Sequence, residues 1–118
     1  TIVVPKYGDE IARAVAERVA EIKPLAQDDP DAKLSGFANP QFAEWINDAV
    51  QTGMDAGGAT DVTAEFREGE RFQERDGMNY LQPTIVRVDS FDQELAIREV
   101  WWNVRRRKCW RRSGRRLW

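Results

Sequence analysis

The sequence has no histidine, a single cysteine and no long apolar run. Without histidine, the chain lacks the usual general base near neutral pH and the commonest zinc ligand. Cys109 alone cannot form an internal disulfide, which favours a reducing, cytoplasmic compartment. No apolar stretch approaches the roughly 20 residues of a membrane-spanning helix, and no basic segment followed by an apolar core marks a secretory signal. We therefore expect a cytoplasmic protein without a membrane span.

The length of 118 residues, with 42% apolar and 32% charged side chains, allows one small domain. This excludes a two-lobed cofactor enzyme within these residues. The charges behind the net value of −2 are unevenly distributed along the chain. All 20 acidic residues precede the last 15 residues, which contain eight of the 18 basic ones. Residues 1–103 therefore form an acidic body, and residues 104–118 a separate, irregular basic tail.

The acidic body begins with signals for a strand and two amphipathic helices. The β-branched residues 1–4 predict a strand or its remnant. Asp9 is a suitable cap for a helix over residues 9–23, which Pro24 stops. Its apolar stripe is Ile11, Val15, Val19 and Ile22, widened by Ala12, Ala16 and Ala20.

The second helix begins at Asn39-Pro40, a cap residue followed by proline in the first turn. Gly53 and then Gly57-Gly58 are expected to end it. We interpret its aromatic and aliphatic stripe as core; this stripe consists of Phe42, Trp45, Ile46, Ala49, Val50 and Met54.

The connection over residues 24–38 is acidic and irregular. Its carboxylates at Asp28, Asp29 and Asp31 are more typical of a solvated loop than of a metal site, because no calcium-loop spacing is present.

Extended segments follow the helices. The sequence predicts alternation at Val62, Ala64 and Phe66 and an extended segment at Arg71-Phe72. A turn at Asp76-Gly77 precedes the extended residues Tyr80-Leu81 and the strongest strand, over residues 83–88. Residues 89–93 are expected to form a loop, and residues 95–97 lead into Glu99. The expected fold class is α/β, with two amphipathic helices followed by extended segments. One sheet covered by helices needs more strands than these, so the body is incomplete as a folding unit.

This order of features resembles the central part of the catalytic domain of the aldehyde dehydrogenase superfamily. The opening Thr-Ile-Val-Val-Pro and the helix after it are similar to the strand and long helix that follow the family's nucleophile. The most specific match is residues 77–86, Gly-Met-Asn-Tyr-Leu-Gln-Pro-Thr-Ile-Val, where the family has Gly, an aromatic residue and Pro-Thr-(Ile/Val). Residues 97–101, Ile-Arg-Glu-Val-Trp, fall where the family has Glu-Glu-(Ile/Val)-Phe-Gly-Pro.

The resemblance implies NAD- or NADP-dependent oxidation of an aldehyde to an acid in the parent family. It gives Glu99 the role of the glutamate that hydrogen-bonds the nicotinamide ribose, and Trp101 that of the phenylalanine beside the nicotinamide. The family's nucleophilic cysteine and water-activating glutamate precede the matching segment. The resemblance therefore implies a fragment without catalytic residues that is inactive alone, whose partner is the rest of a dehydrogenase or a second copy bound through exposed apolar faces.

The basic tail matches nothing in this family and has two interpretations. Its arginines at residues 105–116, with Trp110 and Trp118, are suited to non-specific binding of nucleic acid, or of an acidic lipid surface. The alternative interpretation is that a frameshift near Val100 produced the tail. Degenerate codons permit a dehydrogenase-like continuation in another frame, which supports this interpretation. Cys109, beside Lys108, is either an incidental surface cysteine or a reactive thiol.

The alternative to a dehydrogenase fragment is a small α+β interaction protein of phage or mobile-element type. In that hypothesis the acidic body and the basic tail are both functional, and the tail forms an arm that binds nucleic acid. The two hypotheses differ in whether the binding prefers a particular nucleotide sequence.

Overall fold

The computed structural model describes residues 1–97, which form a mixed α/β fold. The elements are α1 (Gly8–Ala20), α2 (Pro40–Asp55), β1 (Ala59–Asp61), a 3-10 helix (Val62–Glu65), β2 (Phe72–Arg75), β3 (Met78–Leu81), β4 (Val86–Val88) and α3 (Glu94–Ile97). Within this range the strands form two antiparallel pairs, β1 with β4 and β2 with β3. The expected order of two helices followed by extended segments is confirmed. None of the helices in residues 1–97 is long and apolar enough to cross a membrane.

Helix α1 confirms the first amphipathic helix, but the predicted cap is wrong. Tyr7 occupies the N-cap position with a left-handed φ of 59° and makes no capping side-chain hydrogen bond. Asp9 instead lies in the first turn, and its carboxylate pairs with Arg87 of β4. The Asp9 side chain, which the local sequence predicts as the cap, therefore pairs with a residue that is far away in the sequence. The helix also ends at Ala20, three residues before the predicted end.

The buried side of α1 is its alanine row. Ala16 is completely buried and Ala20 nearly so, whereas Ile11 and Val15 are 40% and 36% exposed. This row lets α1 pack closely on the 3-10 helix, and Arg13 places its guanidinium 5.3 Å from the centre of the Phe66 ring. The larger branched side chains of α1 are consequently left at the edge of the packed region.

The N-terminal strand predicted over residues 1–4 is wrong, because this segment is irregular. Its anchor is a hydrogen bond of 3.0 Å from the Thr1 hydroxyl to the Ala96 carbonyl. Ile2 and Val3 are 79% and 63% exposed. A β-branched sequence adopts a strand only when a neighbour pairs with its backbone, and no described strand does so here.

Helix α2 begins where the sequence predicts. The Asn39 side chain accepts a hydrogen bond of 3.1 Å from the Gln41 amide, and Pro40 follows the cap. Gly53 does not end the helix: it is buried inside it, against Leu95 of α3. The helix ends at Asp55, and Gly57 then takes a φ of 89°.

The predicted stripe of α2 does not form the buried core. The buried residues of α2 are Ala43 and Gly53, which are not members of that stripe. Trp45 is 47% exposed, and the other five members are half-buried. The indole stacks on Phe42 with ring centres 5.6 Å apart, and Phe42 in turn lies 6.1 Å from Phe37. The assignment of Trp45 to the core is therefore wrong.

The predicted alternation at Val62, Ala64 and Phe66 is also wrong. After the short strand β1, residues Val62–Glu65 form the 3-10 helix, and the Asp61 carboxylate caps it by accepting from the Ala64 amide at 3.1 Å. Thr63 is completely buried, and its hydroxyl accepts a hydrogen bond of 2.8 Å from the Ile85 amide. The 3-10 helix thereby holds the chain just before β4.

The predicted turn at Asp76-Gly77 is confirmed and joins β2 to β3. Both residues have positive φ, 53° and 73°, which suits the tight turn of a hairpin. The edge of β3 is extended by a bridge from Phe37, whose amide donates to the Asn79 carbonyl at 2.8 Å. The strand predicted over residues 83–88 is shorter than expected, since only Val86–Val88 pairs with β1.

Candidate functional site

The two residues predicted to contact a cofactor, Glu99 and Trp101, lie outside the described residues. The basic tail and Cys109 lie outside them as well. What the structure does describe is the segment that leads to Glu99. Helix α3 is fixed by Gln93, whose side chain donates to the Gly53 carbonyl at 2.7 Å and accepts from the Leu95 amide at 2.6 Å.

The described residues contain an open apolar cleft. It has a volume of about 800 Å³ and lies between residues 1–4, one face of α1, β4 and α3. Several apolar side chains at the cleft remain exposed to solvent. They include Ile2, Val3, Ile11, Val15 and Phe91.

Strand β4 contributes an unpaired edge to this cleft. The Val62 amide donates to the Ile85 carbonyl and the Asp89 amide to the Gly58 carbonyl, both at 2.9 Å. In an antiparallel pair, alternate residues turn their backbone groups toward the partner strand. The amide and carbonyl groups of Val86 and Val88 therefore point away from β1, and no described strand pairs with them.

The rim of the cleft carries charge. Arg87 of β4 pairs with Asp9 of α1 and with Asp89. The hydrogen bond that Arg87 donates to Asp9, followed by the charge of Asp9 and by the contact with Asp89, raises the pKa of Arg87 above its ordinary value. Arg87 thereby ties β4 to the start of α1 along one side of the cleft.

A second candidate site, which is polar, was not predicted from the sequence. Asp61 and Arg67 form an ion pair of 2.9 Å, and Arg71 lies 3.6 Å from the same carboxylate oxygen. All three side chains are less than one tenth exposed. Their spacing matches no motif, and the charges of residues 65–71 are typical of a solvated segment. The sequence therefore offers no signal that separates these arginines from exposed ones.

The acidic loop does not gather its carboxylates into a metal site. Within residues 1–97 no three histidine, cysteine, aspartate or glutamate side chains form a group that could hold a metal ion. Asp29 instead accepts a hydrogen bond of 2.9 Å from the Asp31 amide, which closes a local turn. Because the described residues also contain no histidine or cysteine, they offer no cysteine–histidine or serine–histidine pair for nucleophilic catalysis.

No family model, curated protein or solved structure matches this chain. The resemblance to aldehyde dehydrogenases accordingly rests on the sequence motifs of residues 1–101 and stays a prediction. The features from which a function can be proposed are those motifs, the open apolar cleft and the unpaired edge of β4.

Proposed function

We propose that residues 1–103 are a part of an aldehyde-dehydrogenase-like catalytic domain, and that the apolar cleft receives an extended strand from the remainder of that domain. In this proposal the chain contributes structure and part of the cofactor contact, but neither the nucleophile nor the base. The observation that carries the proposal is the open cleft beside an unpaired strand edge.

The exposed apolar side chains support this assignment. Single exposed apolar residues are ordinary, but a contiguous apolar surface around a cleft marks a place where another segment packs. At the cleft, Ile2 is 79% exposed and Phe91 is 64% exposed. Covering these side chains would stabilise the fold by about 25 cal/mol for each Å² of apolar surface removed from water.

The edge of β4 supports an extended strand as the occupant. Val86 and Val88 offer backbone donors and acceptors in the ladder geometry that an added strand satisfies. The apolar cleft next to that edge suits the alternating β-branched side chains of such a strand. A helix would leave these backbone groups unpaired.

The described residues do not by themselves fit a dinucleotide. Such a site needs a glycine-rich turn between a strand and the N-terminus of a helix, whereas α1 begins after Tyr7 and α2 after Asn39. In the proposal, Glu99 binds the nicotinamide ribose, Trp101 lies beside the ring, and the rest of the NAD or NADP site comes from other parts of the domain.

The decisive experiment is to sequence the genomic locus and translate it in every frame. We expect a cysteine-containing dehydrogenase segment upstream and a Phe-Gly-Pro continuation in another frame near codon 100. Unrelated flanking sequence, with only the present frame open, would overturn the assignment and direct attention to the basic tail and the interaction-protein hypothesis.

The activity of the chain itself is tested with purified protein. We expect no reduction of NAD or NADP with a panel of aldehydes beyond a heat-inactivated control, because in this proposal the nucleophilic cysteine belongs to another part of the domain. Turnover above that control would contradict the expected inactivity.

The open cleft is tested by the oligomeric state. We expect the chain to self-associate with rising concentration in light scattering, and the substitution Ile11→Ser in the cleft to reduce this association. Tyr7→Asn is the matched control, because Tyr7 is 69% exposed outside the cleft and asparagine tolerates its left-handed conformation. A monomer with a sharp, reversible melting transition would argue against an incomplete domain.

A further inference from the structure

The buried arginines lie in the wall of a second pocket, on a different side of the fold from the cleft. This pocket has a volume of about 420 Å³ and is lined by residues of α2, the 3-10 helix and the segment before β2. Arg67, Arg71 and Asp61 all contribute to its wall. The pocket shares no lining residue with the apolar cleft.

Arg71 is held rigidly but does not use all of its donors. Its Nε donates to Asn47 Oδ1 at 3.0 Å, and its Nη2 donates to the Asn47 carbonyl at 3.3 Å and to Gln51 Oε1 at 3.5 Å. Its Nη1 lies 3.6 Å from Asp61 Oδ2 and makes no hydrogen bond with any described residue. The amide nitrogen Nδ2 of Asn47, whose oxygen holds Arg71, makes none with the described residues either. Both nitrogens therefore make no hydrogen bond at this pocket, and Nη1 has only the longer ion-pair contact with Asp61.

The charged residues that line this pocket, Arg67 and Arg71 against Asp61 and Glu70, balance formally, but of the two carboxylates only that of Asp61 is buried with the arginines. Two guanidiniums share one buried carboxylate, and a buried charge without a partner is costly. Burial lowers the pKa of Arg71, and the charge of Asp61 is the largest effect that opposes this change, ahead of the further lowering by Arg67 and the small opposing effect of Glu70. Glu70 lies at the pocket but is exposed and forms no ion pair with a described residue. The buried part of the site therefore carries one positive charge in excess.

We propose that this pocket binds a small anion through a carboxylate or phosphate group. Arg71 Nη1 and Asn47 Nδ2 donate to the anion, and Arg67 supplies additional positive charge. Charge-assisted hydrogen bonds from a guanidinium to such oxygens are among the stronger polar contacts in proteins. The site does not depend on the dehydrogenase assignment, because the resemblance gives no functional role to any of its residues.

The test follows the backbone amide signals of the full chain in NMR spectra during titration with sodium phosphate or sodium acetate. Sodium chloride keeps the ionic strength constant, because the basic tail also attracts anions. We expect saturable shifts around Gln51, Ala64 and Arg71 with at least one probe. Phosphate alone would identify a phosphate group as the ligand, and acetate alone a carboxylate. Shifts that are absent, or confined to the basic tail, would overturn the proposal.

Two substitutions of exposed glutamates make the result specific. Glu70→Gln removes a negative charge at the pocket and should tighten binding by about two- to fivefold. Glu74→Gln makes the same change on β2, outside the pocket, and should leave the affinity unchanged. Equal effects of the two would overturn the proposal, since they would report net charge only. Arg71→Lys keeps the charge but removes the planar fork, and should weaken binding by about tenfold or more.

Discussion

Gly53 packs against Leu95. We therefore predict that Gly53→Ala destabilises the wild-type chain but stabilises a chain that carries Leu95→Ala. A Cβ atom on residue 53 would lie 2.6 Å from Leu95 Cδ2, and closer still to Cγ. Such overlap costs about 1–3 kcal/mol, whereas alanine is about 1 kcal/mol more favourable than glycine inside a helix. Gly53→Ala should therefore lower the free energy of unfolding by up to about 2 kcal/mol. With Leu95→Ala the overlap is gone, and the same substitution should raise it by about 1 kcal/mol.

The assay is urea unfolding followed by far-UV circular dichroism, at fixed protein concentration and with a constant amount of a stabilising osmolyte. The wild type, the two single variants and the double variant complete the thermodynamic cycle. Thr52→Ala, at an exposed neighbouring position of α2, is the control and should stabilise by about 0.5 kcal/mol in both backgrounds. If Gly53→Ala stabilises the wild-type chain as much as the Leu95→Ala chain, α3 does not pack on α2 at this glycine, and the reasoning is refuted.

Three further predictions concern a cap, a buried hydroxyl and the basic tail. Asn39→Ala should lower the free energy of unfolding by about 1 kcal/mol in the same assay, because the Gln41 amide loses its acceptor; Asn39→Asp, which keeps an acceptor, should not. Thr63→Val leaves the Ile85 amide without a partner and should cost about 1–3 kcal/mol, with faster hydrogen exchange at that amide, whereas Thr63→Ser keeps the exchange slow. The basic tail should bind duplex DNA regardless of sequence, with an affinity in fluorescence anisotropy that falls steeply as salt rises; preference for one sequence would favour the interaction-protein hypothesis instead.

Local signals in the sequence predict the parts of this fold that local chemistry decides. Asn39-Pro40 starts α2 because an asparagine cap and a proline are suited to a helix N-terminus in any context. Asp76-Gly77 forms the hairpin turn because both residues tolerate positive φ. These two predictions required no knowledge of the neighbouring segments.

Three of the wrong predictions share one cause, which is a contact between residues far apart in the sequence. Asp9 is drawn to Arg87 instead of capping α1, and Gly53 lies inside α2 because Leu95 occupies the space of a side chain. Residues 62–66 alternate as a strand would, yet Thr63 is bound to Ile85 within a 3-10 helix. A pattern of residue types contains no information about these partners.

The apolar cleft and the buried arginine site also differ in how far the sequence predicts them. The apolar stripe of α1 is visible in the sequence, and the expectation of an incomplete unit followed from the small number of strands. The buried arginines depend on Asn47, Gln51 and Asp61, which come together only in the folded chain. No spacing within residues 61–71 distinguishes a buried guanidinium from a solvated one.

The composition of the buried core has a consequence for how stability varies with temperature. Among residues 1–97 the buried apolar residues include three alanines, Val62 and Tyr80, and they share the interior with Thr63, Arg71, Asn79 and Gln82. Exposure of apolar surface raises the heat capacity on unfolding, and exposure of polar surface lowers it. The heat-capacity change per residue should therefore fall below the usual value of about 12–15 cal/mol/K. A small heat-capacity change flattens the curve of unfolding free energy against temperature. Cooling this chain to its temperature of maximum stability should therefore add little stability, and further cooling should remove little.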